Sequence, residues 1–162
     1  MEYETLERDF ITRTLKIICQ YEKNIPKFEQ FEVTLLINCL VGLLILPKER
    51  FYKKIPNTPI NQLKDWGLRA DHIIKPGMEK RSLKELTIEK LTLKEVVRRM
   101  RNSVSHFKLE VRGDGNEITH LVFSDQHIVF SDQHKLKKKD VFEAVIPVEC
   151  LKTFVTKLAQ SV

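Results

Sequence analysis

The chain has 162 residues, of which 42% are hydrophobic, and its 28 basic against 22 acidic side chains leave a net charge of +6. These values fit one soluble globular domain spanning 1–162, and the positive excess favours a polyanionic partner without implying any sequence preference. The three cysteines, Cys19, Cys39 and Cys150, make no CxxC pair and no even set, which excludes a disulfide framework and fits a reducing cytoplasm.

Met1-Glu2-Tyr3-Glu4 is acidic, unlike a signal peptide with its basic start and apolar middle. An amphipathic helix is predicted from Glu4 to Tyr21, with Leu6, Phe10, Ile11, Leu15, Ile17 and Ile18 as its apolar side. A central helix, the most buried element, follows from Phe28 to Leu46 and is stopped by Pro47. Its apolar stretch Val33 to Leu46 is interrupted by Thr34 and Asn38 and falls short of the roughly 20 residues that a membrane span needs. Residues 47–82 read as loop, with Pro56, Pro59, Pro76 and Gly77 and a short helix from Ile60 to Trp66. Trp66 fills core or covers the end of the bundle. The basic segment Lys48 to Lys54 is either solvated or, through Phe51 and Tyr52, a surface on which bases stack.

Thr92-Leu93-Lys94-Glu95 forms a capping box, with Thr92 as N-cap and Glu95 three residues on. The helix it starts is predicted to run from Leu93 to about Leu109. Leu93, Val96, Val97, Met100, Val104 and Phe107 make its apolar stripe. Arg98, Arg99, Arg101, Asn102, Ser105 and His106 fill the opposite side. Asn102 and His106 are an i, i+4 pair and share a face, while Arg101 points to a neighbouring face with Ser105.

Val111-Arg112-Gly113-Asp114-Gly115-Asn116 reads as a turn. Ile118 to Phe123, Ile128 to Phe130 and Val141 to Ile146 read as short strands. His120 to Gln126 is repeated as His127 to Gln133, followed by His134, a seven-residue duplication that lengthens a hairpin or its loop. These histidines with Asp125 and Asp132 invite a metal site. However, a spacing of seven places successive histidines on opposite faces of a strand, so the expectation is no metal. Lys135-Leu136-Lys137-Lys138-Lys139 is either an RNA-backbone patch or a solvated loop that keeps a β edge from aggregating, the second being preferred. Val148 to Gln160 is a closing helix with Leu151, Phe154, Val155 and Leu158 inward. Together these elements predict a mainly α chain. A helical bundle from 1–110 and 147–162 would carry a small antiparallel β-hairpin or meander at 111–146, inserted before the C-terminal helix.

An arginine and a histidine held together can perform phosphate chemistry, the guanidinium clamping a phosphoryl group while the imidazole moves protons. The competing explanation is a solvated basic face. Arg101-Asn102-Ser103-Val104-Ser105-His106 resembles the Arg-x4–6-His signature of the HEPN superfamily. Those are small all-helical domains that often act as metal-independent ribonucleases in bacterial toxin and phage-defence systems. The chain also resembles one branch, the small plasmid-associated HEPN family nucleases. That likeness takes in Leu6-Glu7-Arg8-Asp9-Phe10-Ile11, the apolar segment Phe31 to Pro47, the Arg101–His106 helix with Phe107, and the Ile146-Pro147-Val148 close.

The resemblance implies a HEPN-like bundle and a metal-independent endoribonuclease without a cofactor, in which Arg101, Asn102 and His106 are catalytic. Arg98 and Ser105 are expected to contact RNA; Arg13 and Asn38 are further candidates with routine structural explanations. It also implies a homodimer with the site at the interface and allows a cognate antitoxin protein as a second partner, while the short apolar stretch Val33 to Leu46 gives the expectation of no membrane. The alternative is a HEPN-like domain that binds nucleotide, RNA or a protein without cutting.

Overall fold

The computed structural model describes residues 5–79, 84–114, 117–131 and 136–162. Helix α1, Leu6–Asn24, buries Ile11 and Thr14. Leu6, Phe10 and Ile17, expected on its inner side, are exposed. The helix is held close to the central segment at Gly42, where a Cβ would lie 2.6 Å from Thr14 Oγ1 and 2.9 Å from the Phe10 ring.

Helix α2, Glu32–Leu40, passes through a π-helical segment, Val41–Ile45, into α3, Leu46–Phe51. Pro47 therefore does not end the central helix as expected. A proline inside a helix lacks one donor and presses on the carbonyl four residues back. The wider turn just upstream, in which the Leu46 N–H reaches the Val41 carbonyl, accommodates both effects. Val33, Leu36, Leu40, Leu43 and Leu44 are all buried along this rod. Among the described residues no helix is long and apolar enough to cross a membrane.

The chain is not mainly α. Strands β1 (Ile73–Pro76), β2 (Leu109–Asp114), β3 (Glu117–Ser131) and β4 (Leu136–Pro147) form one antiparallel sheet in the order β1-β4-β3-β2. The fold is mixed α/β, and the small hairpin or meander expected at 111–146 is replaced by a sheet that recruits a strand from the Pro-rich segment. β3 alone runs for 15 residues. In the sequence it reads as two short runs because Ser124-Asp125-Gln126 is polar. Asp125 is in fact turned inward and buried, with charged partners described below. Likewise Arg112 and Gly113, read as turn, pair with His120 and Ile118 in β2–β3; Gly115 and Asn116 lie outside the described residues.

Pairing of β3 with β4 continues from His120↔Pro147 to Ser131↔Leu136, so the duplicated segment extends one long hairpin. Leu121 and Phe123 of β3 and Phe142, Ala144 and Ile146 of β4 line the inner face of the sheet. They join one apolar cluster with Val96, Val97 and Met100 and with Leu151, Phe154, Val155 and Leu158. The last four belong to α5, Val148–Gln160, whose bounds match the expected closing helix.

Candidate active site

Helix α4, Leu93–Ser105, carries the Arg101–His106 stretch. Its start follows the sequence: Thr92 Oγ1 accepts from the Glu95 N–H at 3.4 Å. Its end comes four residues before the expected Leu109. The Phe107 N–H bonds to the Val104 carbonyl at 3.0 Å and the Lys108 N–H to the Ser103 carbonyl at 2.8 Å. These two bonds form a Schellman stop, with His106 as C-cap and Phe107 in the left-handed region at φ 48°. Phe107, expected in the apolar stripe, is 77% exposed. A left-handed aromatic residue costs roughly 1–2 kcal/mol, so backbone strain sits directly beside His106.

Arg99 also departs from expectation. Placed on the polar side by periodicity, it is completely buried. Its Nη2 donates to Asp140 Oδ2 at 2.6 Å, its Nη1 to Asp125 Oδ2 at 3.5 Å, and its Nε to Glu95 Oε1 at 3.0 Å. Asp140 Oδ1 accepts in addition from the Met78 N–H at 2.8 Å. Gly77, at φ 87°, lies against this group; a Cβ there would stand 2.8 Å from Arg99 Nη2. Glu95 also accepts from Arg98 Nε at 3.0 Å. Burial raises the Glu95 carboxyl, but the hydrogen bonds and charges of Arg98 and Arg99 outweigh it and hold the group below its ordinary value.

Asn102 and His106 meet on the outer side of this network. They line an open cleft of about 340 Å³ together with Arg98, Lys108, Asp125, Gln126 and His127. Asn102 is fixed at both ends: its Nδ2 donates to Asp125 Oδ2 at 3.2 Å, and its Oδ1 accepts from Arg101 Nη1 at 3.0 Å. Arg101 is drawn toward α3 by an ion pair with Glu49, and its Nε is buried without a partner among the described residues. Ser105 is exposed but does not line this cleft, nor do Arg13 of α1 and Asn38 of α2. The structure thus joins Arg98, Asn102 and His106 in one cleft, with Arg101 attached at its edge through Asn102.

Four lining residues lie beyond α4 and its cap, and sequence reasoning missed their contribution: Lys108, Asp125, Gln126 and His127. The repeated His is the available signal, although duplication alone accounts for its spacing. His127 Nε2 lies 3.1 Å from Asp140 Oδ2, and its Nδ1 lies 3.9 Å from Asp125 Oδ1. Beyond it a second open depression, about 460 Å³, is lined by Lys108, Gln126, His127, Ile128 and Lys137–Lys139. The two hollows share Lys108, Gln126 and His127. Lys135, Asp132 and His134 lie outside the described residues. Among the described residues no group of three or more His, Cys, Asp or Glu side chains is arranged to hold a metal. The aromatic faces near Lys48–Lys54 are already engaged: Lys48 and Lys94 stand 5.7 and 5.4 Å over Tyr52, and Lys54 5.3 Å over Phe51.

No curated protein and no solved structure shows significant similarity to the chain. The HEPN pEK499 p136 family matches the whole of residues 1–162, and the chain therefore belongs to this plasmid-associated HEPN family.

Proposed function

We propose that the protein is a metal-independent endoribonuclease acting on RNA as a toxin or phage-defence effector. The observation that carries this reading is the shared placement of Asn102, His106 and Arg98 on one open cleft, in a chain of a HEPN family. The lysine-lined depression that continues from the cleft supplies positive charge along which a polyanion can run.

In this mechanism His106 exchanges a proton with the ribose 2′-OH or with the leaving 5′-oxygen. Arg101 stabilises the charge that builds on the phosphoryl group in the transition state. To reach it, the guanidinium exchanges Glu49 for a phosphate oxygen. Asn102, braced by Asp125 and Arg101, holds a phosphate oxygen or the His106 ring, and Arg98 and Ser105 contact flanking RNA. Attack by the 2′-OH leaves a 2′,3′-cyclic phosphate and limits the enzyme to RNA. The active form is a homodimer in which two such sites face each other, restrained in the cell by a cognate antitoxin protein.

One observation favours a second reading. The Arg101–Glu49 ion pair holds the arginine away from the cleft, as suits a domain that binds nucleotide, RNA or a partner without cutting. Incubating the protein with an RNA and with the DNA of the same sequence separates the two. The ribonuclease reading expects cleaved RNA with 2′,3′-cyclic ends and intact DNA. Intact RNA that is nonetheless retained by the protein would establish the binding reading instead.

A further inference from the structure

Transesterification of RNA needs two proton transfers, one from the attacking 2′-OH and one to the departing 5′-oxygen. The Arg101–His106 stretch contains one imidazole. A second, His127, lines the same cleft from β3. The two rings differ in surroundings. Among the described residues His106 makes no hydrogen bond or ion pair through its ring, whereas His127 stands between two carboxylates. Its Nε2 is 3.1 Å from Asp140 Oδ2 and its Nδ1 is 3.9 Å from Asp125 Oδ1. The side chain is 41% exposed while those of Asp140 and Asp125 are only 1% and 7% exposed, so a solvent-reachable ring rests on buried acids.

The acids behind the ring are themselves shared with two arginines. Glu95, Asp125 and Asp140 face Arg98 and Arg99, and His127 adds a further nitrogen partner to Asp140. The other charged groups bordering the ring are Lys108 on the link after α4 and Lys137–Lys139 on β4, with His106 across the cleft. In the imidazolium form Nε2–H donates to Asp140, and Nδ1–H, beyond hydrogen-bond range of Asp125, is left to the cleft.

We infer that His127, oriented by Asp140, is the general acid of this site and His106 its general base. The assignment rests on the ribonuclease reading above. His106 takes the 2′-OH proton as the 2′-oxygen bonds to phosphorus. The bond from phosphorus to the 5′-oxygen breaks, and His127 Nδ1 gives its proton to that oxygen. Exchange with water restores both rings. The acid is thus supplied within one chain, from the second copy of the duplicated segment. The equivalent residue of the first copy, His120, lies at the Pro147 end of the β3–β4 pairing, with Nδ1 2.8 Å from Thr119 Oγ1.

The test uses two substrates, an ordinary oligoribonucleotide and one whose scissile 5′-oxygen is replaced by sulfur, a leaving group that departs without protonation. His127→Ala and His127→Gln should cut the ordinary substrate roughly 10²–10⁴-fold more slowly than wild type. On the sulfur substrate both should recover to within about tenfold of wild type, whereas His106→Ala should stay slow. Gln retains an N–H for Asp140 and keeps the test valid if Ala disturbs the fold. Full activity of both His127 variants on ordinary RNA, with His106→Ala inactive, would overturn the His127 assignment alone. A loss that persists on the sulfur substrate would also overturn it. Wild type that cuts neither substrate would remove the ribonuclease reading together with this inference.

Discussion

The side-chain amide of Asn102 on α4 donates to Asp125 Oδ2 on β3 at 3.2 Å, and the same carboxylate oxygen faces Arg99 Nη1 at 3.5 Å. One buried acid therefore couples the candidate catalytic face to the interior of the fold. Helix and sheet cannot slide past each other without breaking this coupling, so the sheet sets the position of Asn102.

Arg99 should be among the costliest residues to replace. Methionine would fill similar volume but leave Asp140 and Asp125 buried without the Arg99 guanidinium, and one-sided removal of a buried pair costs about 3–5 kcal/mol. Urea unfolding of Arg99→Met should show a loss of that size. A change under about 1 kcal/mol, the range of exposed ion pairs, would mean that the network does not hold the sheet to α4.

Phe107→Gly is predicted to stabilise the chain. The left-handed backbone at φ 48° suits glycine, and the exposed ring packs little. Relief of roughly 1–2 kcal/mol of strain exceeds the roughly 0.5–1 kcal/mol that glycine's unfolded-state freedom removes. Thermal unfolding should rise slightly; a clear fall would show that the Phe107 ring is held by contacts that outweigh the strain.

Glu49→Gln should strengthen RNA binding by releasing Arg101. The pair is partly solvated, so the gain is limited to about 0.2–1 kcal/mol, roughly up to fivefold in Kd. Fluorescence anisotropy with a labelled oligoribonucleotide measures this. Unchanged or weaker binding would contradict a role for Arg101 at the phosphate.

His72 makes stability depend on pH. Burial is the main cause that holds its imidazole below the ordinary 6.5; the charge of Arg69 adds to it and Asp71 opposes it. Its Nδ1 accepts from the Arg69 N–H at 3.3 Å. The unfolded chain binds the proton more readily, so this stabilisation is present above pH 6.5 and is lost as the pH falls below that value. His72→Gln, which keeps an acceptor, should flatten the stability curve across that window. An identical slope in both proteins would refute the assignment.

How far the sequence was legible depends on where each signal lies. The capping box at Thr92 and the spacing of Leu151, Phe154, Val155 and Leu158 are local patterns, and both helices begin where they indicate. Pro47 misled because a π turn absorbs it, and β1 was hidden in a Pro-rich segment whose pairing with β4 is purely tertiary. β3 was divided at Asp125, a buried charge that no alternation rule anticipates. The same residue explains the site. The i, i+4 relation of Asn102 and His106 is readable on one helix, but Asp125 and His127 reach the cleft only when β3 packs on α4. Arg99 has the same chemistry as its neighbour Arg98 and differs in being buried against Asp125 and Asp140.

The most direct test is cleavage of a mixed RNA pool in EDTA by wild type, Arg101→Ala and His106→Ala, with equal folding checked by circular dichroism. The account predicts cleavage by wild type alone, leaving 2′,3′-cyclic ends, with each variant slowed roughly 10²-fold or more. Equal inactivity of all three, with RNA still bound, or undiminished cleavage by His106→Ala would contradict it.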